Sequence, residues 1–200
     1  MNPPDYEVVI TGAGPVGSTL ALLLARKAPD AKRIALIGKH FMPGHEAPAS
    51  SDPRTLALNH GSRVLLENIG AWPARSANID TVHVSQQGRL GRTVIDAREL
   101  GVPRLGSVVL YSDLVASLHQ ALGLCGVDLI AADQTRRVAA PAVAIDVAGR
   151  RLTAQIAVQS DGDRPRGIQR DYGQHAVLSI VRASAGHCCR TGQRSDRKTC

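Results

Sequence analysis

The segment that most constrains the fold lies near the N-terminus, where a glycine-rich turn separates an apolar strand from an apolar helix. Residues 6–11 are rich in β-branched side chains, as buried strands are. An Ala/Leu segment at 18–26 and a second apolar strand at 33–37 follow the turn Gly12-Ala13-Gly14-Pro15-Val16-Gly17. A strand, a helix and a strand within about thirty residues predict a parallel, right-handed βαβ unit over residues 6–38.

The three glycines of the turn have separate physical tasks. Gly12 permits the tight turn out of the strand, Gly14 lacks a side chain that would block a phosphate, and Gly17 lets helix and strand pack closely. The helix that begins near Pro15 offers unpaired backbone N–H groups and the positive end of its dipole. The turn therefore predicts a pyrophosphate site that needs no cationic side chain, the alternative being a glycine turn without a ligand.

The end of the second strand departs from the usual dinucleotide pattern. An acid normally stands there and accepts hydrogen bonds from the ribose hydroxyls, but this chain has Gly38, and its next acid is Glu46. Recognition of the ribose is expected to be impaired or supplied by other groups. Lys39 either selects the 2′-phosphate of NADP or is a solvated surface lysine, and the surface interpretation is favoured.

A helix is predicted after a loop rich in glycine and proline at 38–52. Asp52 is suited to cap this helix, and Pro53 to its first position. Apolar residues from Leu56 to Ile69 supply the face that would pack on the protein, and Gly70 ends the pattern.

The next residues predict an inserted antiparallel β segment. Residues 79–85 alternate apolar and polar side chains, and 92–95 are their expected partner across the turn Gln87-Gly88. A short strand at 108–111 precedes a helix for which Ser112 is the expected cap.

Further apolar β segments predict a meander that returns to the parallel sheet, and they lie at 127–130, 143–147 and 152–158. The last of them runs into Gln159-Ser160-Asp161-Gly162. The predicted fold class is α/β, a Rossmann-like βαβ sheet with an inserted antiparallel β segment.

Length and composition favour a globular, cytoplasmic protein. The chain has 200 residues, 44% of them hydrophobic, with no run long enough to span a membrane and no basic start typical of a signal peptide. More than half of the net charge of +7 lies between Arg182 and Cys200. That basic segment lacks aromatic residues for stacking on bases, so nucleic-acid binding is not predicted. Cys188-Cys189 beside His187 lacks zinc-ligand spacing, so no metal site is predicted either.

Four segments together resemble one enzyme family, the FAD-dependent aromatic-ring hydroxylases, and within it the branch that acts in ubiquinone biosynthesis. They are, in order, Val9 to Gly17, Asp52-Pro53-Arg54-Thr55-Leu56-Ala57-Leu58, Thr81-Val82-His83-Val84-Ser85 and Ser160-Asp161-Gly162. The resemblance implies a monooxygenase that hydroxylates a ubiquinone precursor ring with FAD, NAD(P)H and O₂. A prenylated substrate of this kind implies peripheral contact with a membrane.

The resemblance also assigns cofactor-binding residues. They are Gly12, Ala13, Gly14, Pro15, Val16, Gly17, Arg54, Asp161 and Gly162. Arg54 would be brought to the flavin by a helix start, and the Asp-Gly pair would bind the pyrophosphate and ribitol of FAD. The family continues D-G-x-x-S, whereas Pro165 stands at the serine position here. No catalytic side chain is predicted, because the flavin performs the chemistry.

The resemblance ends near His187, before the second half of the family's pattern. Residues 1–182 are therefore predicted to form an incomplete FAD-binding domain, with part of the substrate-covering β region near 79–110. Residues 183–200 are expected to be a disordered tail of a truncated or frame-shifted product. Two alternatives stay open, an NAD(P)-dependent Rossmann oxidoreductase and a non-catalytic truncated remnant. The sequence gives no indication of the oligomeric state.

Overall fold

A seven-stranded sheet forms the centre of the described part of the chain. The structure, a computed structural model, describes residues 3–41, 52–85, 92–132, 135–138, 143–162 and 179–182. Its helices and strands, in chain order, are β1 (Tyr6–Thr11), α1 (Pro15–Ala25), β2 (Ile34–Gly38), β3 (Thr55–Asn59), α2 (His60–Asn68), β4 (Ala77–Ile79), β5 (Thr81–Ser85), β6 (Arg92–Asp96), β7 (Gly106–Leu110), α3 (Tyr111–Cys125), β8 (Asp128–Ala131), β9 (Thr135–Val138), β10 (Val143–Val147), β11 (Arg150–Gln159) and β12 (Ser179–Arg182).

The strand order of this sheet is β8-β2-β1-β11-β10-β9, and β12 pairs with the end of β11. Strand β1 is parallel to both of its neighbours, β2 and β11. This arrangement confirms the predicted βαβ unit. The predicted meander is only partly correct, since β10 and β11 are antiparallel whereas β8 lies on the other side as a parallel partner of β2. Helix α3 lies between β7 and β8 in the sequence. Because it packs on α1, it places β8 at the edge of the sheet beside β2.

Apolar side chains cover both faces of the sheet. Successive residues of a strand point to opposite faces, and accordingly Val9 and Ile10 belong to two different buried clusters. The cluster of Ile10 contains residues of α1 and α3, such as Leu22 and Leu118. Burying a side chain of this size contributes about 1.5–3 kcal/mol, so the centre of the sheet carries much of the stability.

Two smaller antiparallel sheets lie in the segment between β2 and α3. One has the strand order β3-β7-β4, and the other is the hairpin of β5 and β6. The hairpin confirms the inserted antiparallel segment and the predicted pairing for residues 81–85, whereas Ile79 belongs to β4 and pairs with β7. Its predicted turn, Gln87-Gly88, lies outside the described residues.

The helix predicted to start at Asp52 is wrong over its first eight residues. Residues 55–59 form β3, in which Leu56 and Leu58 are half-buried and the three residues that alternate with them are exposed. The helix, α2, begins at His60, and the side chain of Asn59 caps it by accepting a hydrogen bond from the N–H of Ser62 at 2.7 Å. The segment forms a strand because it pairs with β7, and the two leucines, two residues apart, lie on the same face of that strand.

Helix α3 also begins differently from the prediction. Its N-cap is Leu110, which makes no side-chain hydrogen bond to the helix, and Ser112 is buried within the first turn. The preceding strand, predicted at 108–111, covers 106–110. Residues 183–200, predicted to be a disordered tail, lie outside the described residues.

No helix among the described residues has both the length and the apolar character required to cross a bilayer.

Candidate functional site

The carboxyl ends of three parallel strands, β1, β2 and β11, meet at one edge of the sheet. Ligands of open α/β sheets bind outside this edge. A cleft of about 320 Å³ lies there, bordered by the glycine turn (Gly12, Ala13, Gly14), the end of β2 (Gly38, Lys39), the end of β11 (Ser160, Asp161) and Tyr111 of α3. The cleft therefore brings together segments far apart in the sequence.

Gly12 is required by the backbone that surrounds it. Its φ of +101° lies in the region that favours glycine. A Cβ at this position would lie 2.5 Å from the amide nitrogen of Asp161 and 2.6 Å from the carbonyl carbon of Ser160. The turn and the end of β11 therefore fit together only when residue 12 has no side chain.

Gly14 and Gly17 differ in what a side chain would meet. No atom of the described residues lies within 4 Å of the position that a Cβ of Gly14 would take, and this residue borders the cleft. A Cβ on Gly17 would overlap the carbonyl oxygen of Gly12 and the Oγ of Ser160. Gly14 thus leaves space for a ligand, whereas Gly17 allows the helix to pack on the turn.

The start of α1 carries backbone donors toward the turn. Gly14 is its N-cap, Pro15 occupies the first turn, and no side chain of the described residues caps this end. The first N–H groups of a helix have no acceptor within the helix, and they lie at the positive end of its dipole. This helix start therefore suits an anion. Val16 in this turn is exposed.

The end of β11 is fastened to the turn by Ser160, which the sequence analysis did not assign to the site. The Ser160 N–H donates to the carbonyl oxygen of Thr11 at 2.8 Å. Its Oγ donates to the carbonyl oxygens of Thr11 and Gly12 at 2.9 and 3.0 Å. Because these bonds join the two strand ends, Ser160 shapes the floor of the cleft.

Asp161 lies at the cleft, and its neighbour Gly162 lies beside it on the surface. The side-chain amide of Gln159 donates to the carboxylate of Asp161 at 3.1 Å. Gly162 has a φ of +76°, which ends the strand in a turn. The predicted pair is therefore next to the glycine turn, with Asp161 alone bordering the cleft. Pro165 lies outside the described residues.

The residue that replaces the usual acid, Gly38, packs directly on the turn. A Cβ at Gly38 would overlap the Cβ of Ala13. Ala13 therefore fills the space that a side chain at the end of β2 would need. The next residue, Lys39, is exposed and borders the cleft, so it brings positive charge to this side.

Arg54 lies beside the cleft rather than in it, and it precedes a strand instead of starting a helix as predicted. Its Nε donates to the Asp52 carboxylate at 2.8 Å, and hydrogen bonds from Arg54 lower the pKa of this carboxyl. The guanidinium carbon lies 4.5 Å from the centre of the Tyr111 ring, a cation–π contact. Arg54 therefore contacts Tyr111, which borders the cleft, and does not border the cleft itself.

A histidine of α3 also contacts the turn. The Nε2 of His119 lies 3.1 Å from the carbonyl oxygen of Ala13, 106 positions earlier. The sequence carries no local signal for this contact, because its partner lies on another element.

No group of three His, Cys, Asp or Glu side chains that could hold a metal ion occurs among the described residues. His187, Cys188 and Cys189 lie outside those residues.

Comparison with known proteins identifies the fold. No family model matches the chain. Solved structures do, and one is the peptidyl tryptophan dihydroxylase QhpG, essential for tryptophylquinone cofactor biogenesis. It matches with a TM-score of 0.54 and 16% identity over 86% of this chain and 35% of its own length.

Two further structures agree with the first. A mutant of 2-methyl-3-hydroxypyridine-5-carboxylic acid oxygenase matches with a TM-score of 0.55 and 20% identity, over 78% of this chain and 40% of its own. CtdE in complex with FAD matches with a TM-score of 0.53 and 18% identity, over 79% of this chain and 38% of its own. The chain thus spans two fifths or less of these structures. Over that part it has their Rossmann-like α/β fold.

Proposed function

We propose that this chain is the FAD-binding portion of an FAD-dependent monooxygenase that hydroxylates an aromatic ring. The observation that carries the proposal is the contact between the glycine turn and the end of β11. This contact brings Asp161 to the cleft that the start of α1 also faces. The matching structures, among them CtdE in complex with FAD, support the choice of cofactor.

The residues of the cleft fit the pyrophosphate of FAD. Gly14 leaves open space, and the uncapped start of α1 offers N–H donors without a nearby carboxylate of its own first turn. The carboxylate of Asp161 is an acceptor suited to the hydroxyl groups of the ribitol. Gly38 offers no acceptor to the adenosine ribose, so we expect that end of the cofactor to be held more weakly.

FAD, when bound, supplies the electron transfer and oxygen activation of the reaction. The chain supplies binding and orientation. Gly12 to Gly17 would hold the pyrophosphate, and Asp161 with Gly162 the ribitol. Arg54 would lie beside the cleft as the resemblance implies, paired with Asp52 and stacked on the ring of Tyr111, with its charge largely balanced by that carboxylate.

The resemblance of four sequence segments supports a narrower proposal about the whole enzyme. Its substrate would be a ubiquinone precursor ring, its reductant NAD(P)H, and its prenylated substrate would bring it to a membrane surface. Residues 1–182 would form the FAD-binding domain, with 79–110 contributing to the substrate cover. Residues 183–200 would lie outside that domain.

Titration of the folded chain with FAD tests the proposal, with flavin fluorescence as the readout. Gly14→Asp is the informative variant, because a carboxylate there would occupy the open space and repel the pyrophosphate. Aspartate is also a favourable N-cap residue, so α1 should not be destabilised. We expect affinity for FAD to fall about 100-fold, which corresponds to about 2.7 kcal/mol, at an unchanged melting temperature.

Gly61→Asp is the matched control. Gly61 is an exposed glycine in the first turn of α2, and a Cβ there would make only an ordinary contact with Asn59. This variant should bind FAD like the wild type. A folded wild type that does not take up FAD, or a Gly14→Asp variant that binds it equally well, would overturn the proposal.

A second candidate, an NADP-dependent oxidoreductase, is favoured by one observation. Lys39 borders the cleft at the position where a 2′-phosphate is recognised in such enzymes. Competition between NADPH and FAD discriminates between the two. NADPH binding that FAD does not displace, and that Lys39→Ala weakens, would favour this candidate.

A further inference from the structure

The carbonyl oxygen of Ala13 accepts hydrogen bonds from two different helices. The Nε2 of His119, on α3, lies 3.1 Å from it. Because a carbonyl oxygen can only accept, Nε2 must carry the hydrogen. The Oγ of Ser18, on α1, donates to the same oxygen at 3.1 Å and is completely buried. The carbonyl is therefore held toward the helices.

The direction of this carbonyl determines the direction of the next N–H. A trans peptide unit is planar, so the C=O of Ala13 and the N–H of Gly14 point to opposite sides. With the carbonyl held toward the Ser18 hydroxyl and the His119 ring, the N–H of Gly14 points away from them, and Gly14 borders the cleft. A reversed peptide would present an oxygen to an anion, which would repel it.

The ring of His119 has a second contact that limits its rotation. The centre of the Phe41 ring lies 5.5 Å from that of His119, with the planes tilted by 48°. Phe41 belongs to the short turn Lys39–Phe41, which follows β2. The imidazole of His119 is therefore oriented by two contacts, one with the glycine turn and one with the turn that follows β2.

We propose that His119 is a positioning residue that fixes the Ala13–Gly14 peptide in the direction that receives a pyrophosphate. This proposal rests on the proposed function for the identity of the ligand. The direction of the Ala13–Gly14 peptide would matter in the same way for any ligand that carries a pyrophosphate group. His119 would act through the turn and would not touch the ligand.

Three variants of one residue test the proposal, with ADP and FAD as separate probes. His119→Leu removes the donor and keeps an apolar contact for Phe41. His119→Asn ends its amide near the position of Nδ1, whereas His119→Gln can place an amide donor near the position of Nε2. Loss of one hydrogen bond predicts about fivefold weaker binding of ADP and FAD by the Leu and Asn variants. The Gln variant should recover to within about twofold.

The amide resonance of Gly14 in ¹H–¹⁵N spectra supplies a readout that general loss of stability does not imitate. It should shift on ADP addition in the wild type and in His119→Gln, and much less in His119→Asn. Gln120→Leu, at the exposed next position of α3, is the control and should behave as wild type. If His119→Leu does not fold, the Asn and Gln variants carry the comparison.

The outcomes separate this proposal from the proposed function. A wild type that binds ADP and not FAD contradicts the proposed function, while the variants still test the role of His119 with ADP. Wild-type binding of neither probe would overturn the role of His119, as would Asn and Gln variants that bind ADP equally well.

Discussion

Strands β1 and β5 have similar lengths, yet their surroundings are opposite. Strand β1 has six residues and parallel neighbours on both edges. Strand β5 has five residues, all exposed, and among the described residues it pairs with β6 alone. Val9 in β1 is 0% exposed, whereas Val84 in β5 is 51% exposed.

The difference shows that a β pattern predicts a strand without predicting how much stability it contributes. In β5 the alternation aligns Val82 with Ile95 across the hairpin, but their shared face remains exposed. A two-stranded hairpin of this kind is marginally stable in isolation. In β1 both faces are covered, and the strand ends at the turn that borders the cleft. The site therefore depends on the rigid strand.

The largest effect is expected immediately beyond β1. Gly17→Ala would push a Cβ against the backbone carbonyl of Gly12, which cannot move without breaking the turn. We expect the free energy of unfolding in urea to fall by about 3–4 kcal/mol. Gly123→Ala in α3 is the control, because a Cβ there meets no atom of the described residues within 4 Å. If the two variants were equally stable, the expectation that the turn has no room for a side chain at Gly17 would be wrong.

A smaller effect is expected from one substitution made in both strands. Val9→Thr keeps the shape of the side chain but buries a hydroxyl, which costs about 1–3 kcal/mol when it lacks a partner. Val84→Thr places the same hydroxyl in water and should change stability by less than about 0.5 kcal/mol. Chemical denaturation of both variants measures the difference. If Val84→Thr were as destabilising as Val9→Thr, the hairpin would be buried in solution.

The smallest effect concerns the start of β1. Tyr6 donates a hydrogen bond to Asp128 of β8, and burial with this bond raises the pKa of Tyr6 to about 12 from 10.0. The folded state thus favours the neutral phenol, and the resulting stability is complete below pH 10 and is lost as the pH rises toward 12. Tyr6→Phe should cost about 1 kcal/mol at neutral pH.

Urea denaturation at a series of alkaline pH values measures this contribution. The wild type should lose more stability than Tyr6→Phe as the pH rises from 10 to 12. Parallel pH profiles for the two proteins would show that Tyr6 does not couple β1 to β8.

The sequence was sufficient to predict the glycine turn, because the turn depends on the spacing of nearby residues and on contacts with backbone atoms. Gly12, Gly14 and Gly17 stand at fixed spacing between a strand and a helix. The structure leaves no room for a side chain at Gly12 or Gly17, whereas Gly14 borders open space. Asp161 of the Asp-Gly pair lies at the same cleft as the turn, and its role toward FAD stays a prediction.

Long-range contacts account for what the sequence did not predict. Leu56 and Leu58 suit a helix start as well as a strand, and only pairing with β7 decides between them. Ser160 bonds to Thr11 across 149 positions, and His119 contacts Ala13 across 106. No local pattern encodes such partners. Arg54 was associated with the cleft, but its contact through Tyr111 required the fold.

The position of β1 between β2 and β11 has a consequence for the newly made chain. Strand β2 is complete soon after β1, whereas the ladder to β11 joins residues as distant as Tyr6 and Ala154, 148 positions apart. At a synthesis rate of about 5–20 residues per second, β1 waits on the order of ten seconds for its second neighbour. During that interval the nascent protein carries an open strand edge, which is a template for wrong pairing. A central strand of the finished sheet is thus open to wrong pairing while the chain is still being made.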